Sequence, residues 1–360
     1  MNEEDSPVAG STTLVVEPHS QGHRLYYSRL LIDKCQARGD HVAILTTQTA
    51  VESAEWRVHI GDRTPTIVLN QLNKFALSDI ATVSDNLGAS LTIVPDADGY
   101  LLSAFRGDWT GAGNLNMLVM RSDVQPGPPL SWSRPAKTLV KRSLILGSGM
   151  RSRIRVFVLR SPLVRRRRPL HWVPDPVTLE CTSQEIVAMR KRLDSDLYWF
   201  GVFGAITPRK HLPLVIEAML DQPGTGLLIA GFVDPAVADA IAPLIAIFVS
   251  NGGQVIQLSG TITDAEFDSA IGAVDCVIAA HSNEGPSGVV AKAAASGRRL
   301  ILAGAQSLRR DAAYLGEQAT WSPLRIEDLR RAVQHARRLP APAEPVELGA
   351  GHFLETLTWR

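Results

Sequence analysis

IGAVDCVIAAHSNEGPSGVVAKAAASGRRLILAG, residues 271–304, contains two apolar runs separated by a glycine-containing loop and an alanine-rich segment. The first apolar run, residues 276–280, predicts a buried strand, and the second, residues 300–303, predicts another. The alanine-rich segment between them predicts a helix that Gly297 ends. A strand, loop, helix and strand in this order are typical of a parallel α/β sheet.

The loop in this stretch lies at the carboxyl end of a predicted strand and at the amino end of a predicted helix. Backbone N–H groups and the positive end of the helix dipole favour an anion at such a position, phosphate above all. Gly285 and Gly288 permit a close approach of the backbone to a phosphate or a sugar, and Ser287 lies between them. We therefore expect this loop to be part of a ligand site.

The order of residues in this stretch resembles the donor-binding segment of GT-B glycosyltransferases, of the retaining family 4 (group 1) type. In that family the segment carries a Glu-Gly-Phe-Gly loop, a second glutamate and Ala-Met-Ala-Cys-Gly. Glu284 and Gly285 match its start, and residues 293–297 match its end without a gap. One departure is clear: Lys292 stands at the position of the second glutamate.

Length and composition predict a globular protein of about two domains, because the chain has 360 residues, of which 45% are hydrophobic and 20% charged. A formal net charge of +1 gives no global indication of nucleic-acid binding. The three widely spaced cysteines form no metal or disulfide pattern and suit a reducing compartment. The polar amino terminus argues against a secretory signal, and no apolar run reaches the ~18 residues of a membrane span, so we expect a cytoplasmic protein.

The alternation of strands and helices predicts an α/β fold with two Rossmann-like domains facing a cleft. Pro174 and Pro176 exclude a helix and indicate an extended linker between the domains. The predicted division is a disordered tail (1–10), an N-terminal acceptor domain (11–170), a linker (171–182), a C-terminal nucleotide-sugar donor domain (183–330) and C-terminal helices that can return to the N-terminal domain (331–360).

Further pieces of the second half resemble the same family in the same order. Residues 203–218 are similar to its Gly-Arg-Leu-x-x-x-Lys-Gly stretch and the helix after it, although Ala205 stands where the family has an arginine. Residues 259–267 resemble the loop that holds the nucleobase, which implies that Thr261 and Ile262 lie at the base. The resemblance covers residues 173–304 well and the first domain only loosely.

The resemblance implies a role for each matched residue. Lys210 would contact the donor diphosphate, with Arg209 in place of the missing arginine. Glu284 would lie near the donor sugar hydroxyls; a carboxylate that stabilises a helix amino terminus is the alternative. Lys292 cannot accept the ribose hydrogen bonds that the family glutamate accepts, so the ribose clamp is absent or rebuilt. His281, just before the loop, fits the donor site and the core equally well.

Two loops of the first domain supply further candidates. The loop after the first predicted strand contains His19, Gly22 and Arg24; Gly22 allows the loop to approach the donor phosphate, and Arg24 can meet the same anion. A core or surface position is as plausible for the histidine. Asp96 and Asp98 follow another predicted strand, where one of them can position an acceptor hydroxyl; the alternative is an Asp-rich turn.

A basic segment covers residues 124–174 and contains no acidic residue. Its twelve cationic side chains are Arg134, Lys137, Lys141, Arg142, Arg151, Arg153, Arg155, Arg160, Arg165, Arg166, Arg167 and Arg168. A basic stripe beside Ala136, Leu139, Val140 and Leu144 predicts an amphipathic helix. A solvated face explains this pattern, and so does an anionic membrane surface or a lipid-linked or phosphorylated acceptor. Nucleic acid is not expected.

The resemblance therefore implies a retaining glycosyltransferase that moves a hexosyl group from a nucleoside diphosphate sugar to a hydroxyl of a sugar, lipid-linked or polymer acceptor. It implies neither a metal ion nor any other cofactor. Glu284, Asp98 and His19 are the candidate catalytic residues. The alternative is a non-catalytic, glycosyltransferase-like binding partner with a degenerate donor site, which Ala205 and Lys292 motivate. A sugar-nucleotide epimerase of similar form has less motif support.

Overall fold

The computed structural model describes residues 10–20, 24–69, 75–107, 109–121, 133–163, 171–260, 262–339 and 344–360, with backbone alone at 133–135. The chain divides into two compact units. Unit 1 contains the described residues up to Arg160, then 171–176 and Ala350–Arg360. Unit 2 contains residues 161–163 and Val177–Gly349. The tail predicted over residues 1–10 lies outside the described residues except for Gly10.

Unit 1 is built on a seven-stranded parallel sheet in the order β3-β2-β1-β4-β5-β6-β7. Its strands are β1 (Thr12–Val16), β2 (His41–Thr47), β3 (Thr66–Leu69), β4 (Leu91–Val94), β5 (Asn114–Val119), β6 (Ile154–Arg160) and β7 (Trp172–Pro174). Its helices before residue 176 are α1 (Arg24–Ala37), α2 (Gln48–Val51), α3 (Ala54–His59), α4 (Leu77–Asn86), α5 (Leu101–Arg106) and α6 (Ser133–Gly149). Apolar residues of the strands are buried on both faces of the sheet, as expected of parallel strands between helices.

The predicted linker contains a strand. β7 pairs with β6 in parallel, from Val158–Trp172 to Arg160–Pro174. The prolines do exclude a helix, and the extended conformation that they favour is the one a strand needs. Pro174 is tolerated because β7 is an edge strand and Pro174 is its last residue.

Unit 2 is built on a six-stranded parallel sheet in the order β10-β9-β8-β11-β12-β13. Its strands are β8 (Tyr198–Phe203), β9 (Thr225–Ala230), β10 (Gln254–Leu258), β11 (Cys276–His281), β12 (Arg299–Gly304) and β13 (Ala319–Ser322). Its helices are α7 (Ser183–Arg190), α8 (Leu212–Met219), α9 (Pro235–Ser250), α10 (Asp264–Ala273), α11 (Gly288–Ala295), α12 (Gln306–Leu315) and α13 (Ile326–Arg338). The two strands predicted in residues 271–304 are β11 and β12, which are paired in parallel along their whole length.

The last helix, α14 (Gly351–Leu357), belongs to unit 1, whereas α13 belongs to unit 2. The Phe353 ring packs 5.3 Å from the Tyr27 ring of α1. The Asn116 side chain donates hydrogen bonds of 2.8 Å to the carbonyls of Leu357 and Trp359. These contacts attach the end of the chain to the first sheet.

Within the part of the chain that the structure describes, none of the helices combines the length and the apolar character of a membrane span. The same described residues contain no group of three or more His, Cys, Asp or Glu side chains that could hold a metal ion. Cys35 and Cys276 are buried free thiols, and Cys181 is a partly buried one.

Candidate functional site

The order of strands in unit 2 reverses between β8 and β11. Successive strands run outward from β8 through β9 to β10, and then from β11 through β12 to β13. In open parallel sheets, ligands bind in the crevice outside the carboxyl ends of strands at such a reversal. The loops that follow β8 and β11 touch there, since the Ser282 N–H donates to the Arg209 carbonyl at 3.4 Å. Both loops were predicted from the sequence to carry donor-binding residues.

Lys210 lies in a 3-10 turn, Pro208–Lys210, directly after β8. Its Nζ donates a hydrogen bond of 2.5 Å to the Phe203 carbonyl. Gly204 has a φ of 91°, and a Cβ at that position would lie 3.3 Å from Lys210 Nζ, so glycine provides the space for the ammonium group. Burial, reinforced by the charge of Arg209, lowers the pKa of Lys210 to about 8.

Lys210 and Arg209 therefore present positive charge at the strand reversal. The partner of Lys210 is an uncharged carbonyl, and Arg209 Nε donates at 3.4 Å to the Thr207 hydroxyl, which is also uncharged. At pH 7 Lys210 remains mostly protonated, because its pKa lies about one unit above that pH. A desolvated ammonium with a neutral partner is a strong site for a phosphate oxygen.

His281 is the buried last residue of β11. Its Nδ1 donates to the Asn283 carbonyl at 3.0 Å. Burial, followed by the charge of Lys210, lowers the pKa of His281 to about 4. The imidazole is therefore neutral at pH 7 and fixes the start of the loop that follows β11.

Glu284 stabilises a helix amino terminus, which was the alternative to a sugar contact. Its two carboxylate oxygens accept hydrogen bonds of 2.8 Å from the N–H groups of Gln306 and Ser307. The capped helix is α12, two elements further along the chain, rather than α11, which follows the loop directly. Because the Glu284 side chain is still 30% exposed, it keeps surface that a ligand can reach.

The loop between Glu284 and α11 offers backbone donors. Gly285 has a φ of 136°, a conformation that favours glycine. Ser287 is the N-cap residue of α11, and its side chain makes no capping hydrogen bond. The first amides of α11, beginning at Gly288, are therefore not capped by the Ser287 hydroxyl.

Lys292 makes a structural ion pair. Its Nζ donates to Asp268 Oδ1 at 2.6 Å, and Asp268 Oδ2 accepts a hydrogen bond of 2.8 Å from the Glu180 N–H. Asp268 is fully buried, and this burial raises the pKa of its carboxyl although Lys292 acts in the opposite direction. The pair thus joins α11 to α10 and to the segment that leads into α7. Asp268 was not predicted, since nothing in the sequence of an amphipathic helix marks it as buried.

Two of the predicted nucleobase and phosphate contacts, Thr261 and Gly22, lie outside the described residues. Ile262 packs partly buried against the apolar core of unit 2. A residue absent from the prediction, Phe232, lies at the same edge of the sheet. The register pairs Leu258 with Ala230, so Phe232 and Gly260 each lie two residues beyond paired positions. Phe232 is 63% exposed, so its ring is accessible at this edge.

In unit 1, Glu17 directly follows β1 and is completely buried. Its Oε1 accepts a hydrogen bond of 2.9 Å from the His19 N–H, whereas its Oε2 is buried without a hydrogen-bond partner among the described residues. Burial raises the pKa of Glu17 to about 8, and burial lowers the pKa of His19. The sequence signal for Glu17 was its place after an apolar strand, which does not reveal burial.

The other unit 1 candidates form ion pairs. Arg24, which was expected to meet the donor phosphate, lies 2.7 Å from the carboxylate of Asp96. Asp98 accepts hydrogen bonds from Lys141 Nζ at 3.1 Å and from the Met120 N–H at 3.2 Å. Burial raises the pKa of Asp98, and the charge of Lys141 opposes this shift. Asp96 and Asp98, which follow β4, thus each form an ion pair, with Arg24 and Lys141 respectively.

Comparison with known proteins gives matches in structure and not in sequence. No protein-family model matches the chain, and no curated protein sequence matches it significantly. Sucrose-phosphate synthase from Thermosynechococcus elongatus is 16% identical, with a TM-score of 0.65 over 90% of this chain and 89% of that one. HepE from Anabaena, solved with UDP and glucose, is 15% identical, with a TM-score of 0.61 over 91% of this chain and 89% of that one.

The chain has the GT-B fold. The α/β expectation of two Rossmann-like domains is thereby confirmed. A putative UDP-N-acetylglucosamine 2-epimerase from Listeria monocytogenes also matches, with 13% identity and a TM-score of 0.57 over 97% of this chain and 96% of that one. At these identities the likeness establishes the fold alone, because one fold serves several chemistries. Membership of family 4 stays a prediction.

Proposed function

We propose that this protein is a glycosyltransferase that binds a nucleoside diphosphate sugar at the carboxyl edge of unit 2 and transfers its glycosyl group to an acceptor hydroxyl. The observation that carries this proposal is Lys210, a partly buried lysine whose ammonium is held at the strand reversal by an uncharged partner. Such a cation needs an anion to compensate its desolvation. The diphosphate of a nucleotide sugar supplies that charge.

The arrangement also supports the chemistry of transfer. When the bond between the anomeric carbon and the diphosphate oxygen breaks, negative charge develops on the leaving diphosphate. In the proposed complex, Lys210, Arg209 and the amino end of α11 stabilise this charge, and this stabilisation lowers the barrier. Retention of configuration and a hexosyl donor are the finer parts of the proposal, and they rest on the match of Glu284 and Gly285 to the family 4 loop.

The nucleoside would be held differently from the family pattern. Lys292 is engaged by Asp268, so the ribose receives no carboxylate acceptor from position 292. Phe232 offers an exposed ring at the same edge of the sheet as Gly260, where a nucleobase can stack. We therefore propose that stacking on Phe232 replaces part of the binding that ribose hydrogen bonds supply in the family.

For the acceptor, we propose that unit 1 supplies the orienting groups. The half-buried imidazole of His19 has a lowered pKa, so it is neutral at pH 7 and can accept the proton of an acceptor hydroxyl. Asp98 is less suited to this role, because Lys141 and the Met120 N–H already occupy its carboxylate.

Calorimetric titration against nucleoside diphosphates and their sugar conjugates tests the proposal. HepE was solved with UDP and with UDP-glucose, so uridine nucleotides come first. We expect one diphosphate to bind, and its sugar conjugate to release that diphosphate when acceptors are added; NMR of the product then gives the anomeric configuration. The absence of binding by any nucleotide overturns the proposal. Binding without turnover supports the non-catalytic partner, and conversion of the sugar while it remains attached supports an epimerase.

A further inference from the structure

Unit 1 has a strand reversal of its own, between β1 and β4. Strands β2 and β3 lie beyond β1, whereas β5, β6 and β7 lie beyond β4. Ligands of open parallel sheets bind outside the carboxyl ends of the strands at such a reversal. Glu17 is the first residue after β1, and Asp96 is the second residue after β4. The reversal of unit 1 therefore has a carboxyl group on each side.

The backbone of Glu17 is fixed to the neighbouring strand, β2. Its N–H donates to the Leu45 carbonyl at 3.0 Å, and the Thr46 hydroxyl donates to the Glu17 carbonyl at 2.7 Å. The Glu17 side chain is completely buried. Its Oε1 accepts the His19 N–H at 2.9 Å, and its Oε2 lacks a hydrogen-bond partner in the part of the chain that the structure describes. The carboxyl group thus holds the loop after β1 from a fixed position at the end of the sheet.

This environment keeps the Glu17 carboxyl uncharged at pH 7. An ionised carboxylate with one hydrogen bond and one bare oxygen is poorly compensated in the interior, so the group retains its proton. Burial raises the pKa of Glu17 to about 8, although the His19 N–H and the charge of Arg24 oppose this shift. Arg24 itself pairs with Asp96 at 2.7 Å. Of the two carboxyl groups at the reversal, Asp96 therefore takes the arginine, and Glu17 remains neutral.

We propose that Glu17 is a positioning residue of unit 1, whose neutral carboxyl fixes the loop that carries His19 and leaves Arg24 to Asp96. The inference rests on the proposed function, in which the His19 imidazole accepts the proton of an acceptor hydroxyl. Glu17 acts through His19, because it is completely buried and does not reach the acceptor itself. Its hydrogen bond to the backbone of His19 determines where the loop places the imidazole.

Loss of the Glu17 proton would change this arrangement. Two carboxylates would then compete for Arg24, whose side chain is one-third exposed and is not confined by packing. His19 is sensitive to the outcome, because burial and the charge of Arg24 lower the pKa of its imidazole, whereas the charge of Asp96 raises it. The loop that carries His19 should therefore respond to pH near the pKa of Glu17, about 8.

The other described groups that face Glu17 do not titrate in this range. Burial, with a smaller contribution from the charge of Glu17, raises the pKa of Tyr100 to about 12. The His19 imidazole titrates below its ordinary value of 6.5. Strand β2 contributes the hydroxyls of Thr46 and Thr47, which stay neutral. Among the described residues, a change near pH 8 in this loop therefore reports the ionisation of Glu17.

NMR of the full-length protein, titrated through the range around pH 8, tests the inference on the wild type, Glu17→Gln and Glu17→Leu. Glutamine keeps an oxygen that can accept the His19 N–H and has no proton to lose, whereas leucine keeps only the bulk of the side chain. We expect the His19 amide resonance of the wild type to shift with a midpoint near pH 8, and that of Glu17→Gln to show no such step. Amide exchange at His19 should be about fivefold faster in Glu17→Leu, the scale of one lost hydrogen bond, and close to the wild type in Glu17→Gln.

Glu55→Gln, which changes an exposed carboxylate of α3, is the control and should keep the wild-type step. The wild type and Glu17→Gln decide the question even if Glu17→Leu does not fold. A step that persists in Glu17→Gln, or that is absent from the wild type, overturns the proposal. Wild-type amide exchange at His19 in a folded Glu17→Leu protein overturns it as well. A merely structural carboxyl would alter stability and leave the His19 titration unchanged.

Nucleotide titration of the same proteins separates this inference from the proposed function. The donor loops lie in unit 2, so all variants should bind a nucleoside diphosphate as the wild type does. If none of the proteins binds a nucleotide but the His19 step is seen, the proposed function is overturned, and the control of the His19 loop by Glu17 stands. Nucleotide binding without the His19 step overturns the positioning role alone.

Discussion

The carboxyl edges of the two parallel sheets both carry charged side chains, but they use them in opposite ways. In unit 1 the charges cancel one another, as the Arg24–Asp96 and Lys141–Asp98 pairs show. In unit 2 Lys210 and Arg209 donate to uncharged oxygens, whereas the carboxylate of Glu284 accepts from the amino end of α12 and lies 3.6 Å from the Arg310 guanidinium. Among the described side chains named here, positive charge without a charged partner therefore remains at the edge of unit 2, whereas the charges at the edge of unit 1 are paired.

This difference teaches that charge alone does not mark a ligand site in this chain. Asp98 and Arg24 are candidates by residue type and by position, yet their charges already have partners. Lys210 differs because burial lowers its pKa while its hydrogen-bond partner leaves the charge uncompensated. A binding site is indicated where a charge is both desolvated and unpaired.

The largest effect is expected at the Lys292–Asp268 pair, because this lysine of unit 2, unlike Lys210, is paired with a buried carboxylate. Lys292→Met leaves a fully buried carboxylate without its counter-charge and should lower the free energy of unfolding of unit 2 by about 3–5 kcal/mol. Lys292→Glu, which restores the family residue, places two carboxylates together and should cost at least as much. Urea unfolding followed by hydrogen exchange in unit 2 measures both changes.

Two controls sharpen that measurement. Arg192→Met disrupts the exposed pair with Glu266, whose charged atoms are 3.9 Å apart, and should cost no more than about 1 kcal/mol. Lys292→Met/Asp268→Asn removes both charges and should recover most of the loss. A loss of less than about 1 kcal/mol in Lys292→Met would contradict a buried ion pair and return Lys292 to the list of ligand contacts.

The next largest effect tests whether the Glu17 carboxyl, at the edge of the unit 1 sheet, is protonated and therefore uncharged. Its ordinary pKa of 4.5 is raised to about 8 in the fold, so between these values the folded state holds a proton that the unfolded chain releases. The stability of unit 1 should therefore fall as pH rises through that window, by a total on the order of 4 kcal/mol. Glu17→Gln should remove this dependence and exceed the wild type in stability at pH 8.

Thermal unfolding across pH 4.5–8, with hydrogen exchange of unit 1 peptides, measures this difference. Glu55→Gln is the control, because Glu55 is an exposed carboxylate of α3 and should leave the pH profile unchanged. Parallel profiles for wild type and Glu17→Gln would mean that Glu17 is ionised, and the contrast between the two edges would then be lost.

A third, smaller effect concerns Lys210. Lys210→Met should weaken binding of a nucleoside diphosphate by about 1–3 kcal/mol at pH 7, the scale of hydrogen bonds to charged groups. Because the pKa of Lys210 is about 8 and only the protonated form attracts phosphate, wild-type affinity should fall as pH rises past 8, and that of the variant should not. Calorimetry measures both the affinity at pH 7 and its pH dependence; Lys191→Met, which changes an exposed lysine, is the control. Unchanged affinity in a folded Lys210→Met protein would remove the main support for the donor site.

Most of the fold was predictable, because parallel strands buried on both faces leave continuous apolar runs such as residues 276–280. The ordered motifs also located the edge of unit 2 that carries Lys210, Arg209 and Glu284. What the sequence could not show is which charges are already paired. The partner of Lys292 is 24 positions away on another helix, and that of Asp98 is 43 positions away.

Long-range burial explains the other differences. Residues 172–174 were predicted to be a linker and form strand β7, because an extended segment with a proline at its end can pair as an edge strand. The amphipathic pattern of α6 does not show which apolar residues reach the core: Leu139 and Val140 are exposed, whereas Ile145 and Ser148 are buried. Glu17 is buried although its side chain is acidic, and Phe232 is exposed although its side chain is apolar. The hydrophobic periodicity of the sequence therefore could not identify either residue.

The smallest effect tests whether an apolar contact adds to the charges of the unit 2 edge. Phe232→Ala should weaken nucleoside diphosphate binding by about 1 kcal/mol, the low end of base stacking on an aromatic ring, because the ring is open to solvent on one side. Binding of inorganic pyrophosphate, which has no base, should be unchanged. Tyr314→Ala removes another exposed aromatic ring, on α12, and serves as the control. If Phe232→Ala weakens both ligands equally, the ring supports the loop rather than the base; if it weakens neither, the nucleoside lies elsewhere while the diphosphate site at Lys210 is unaffected.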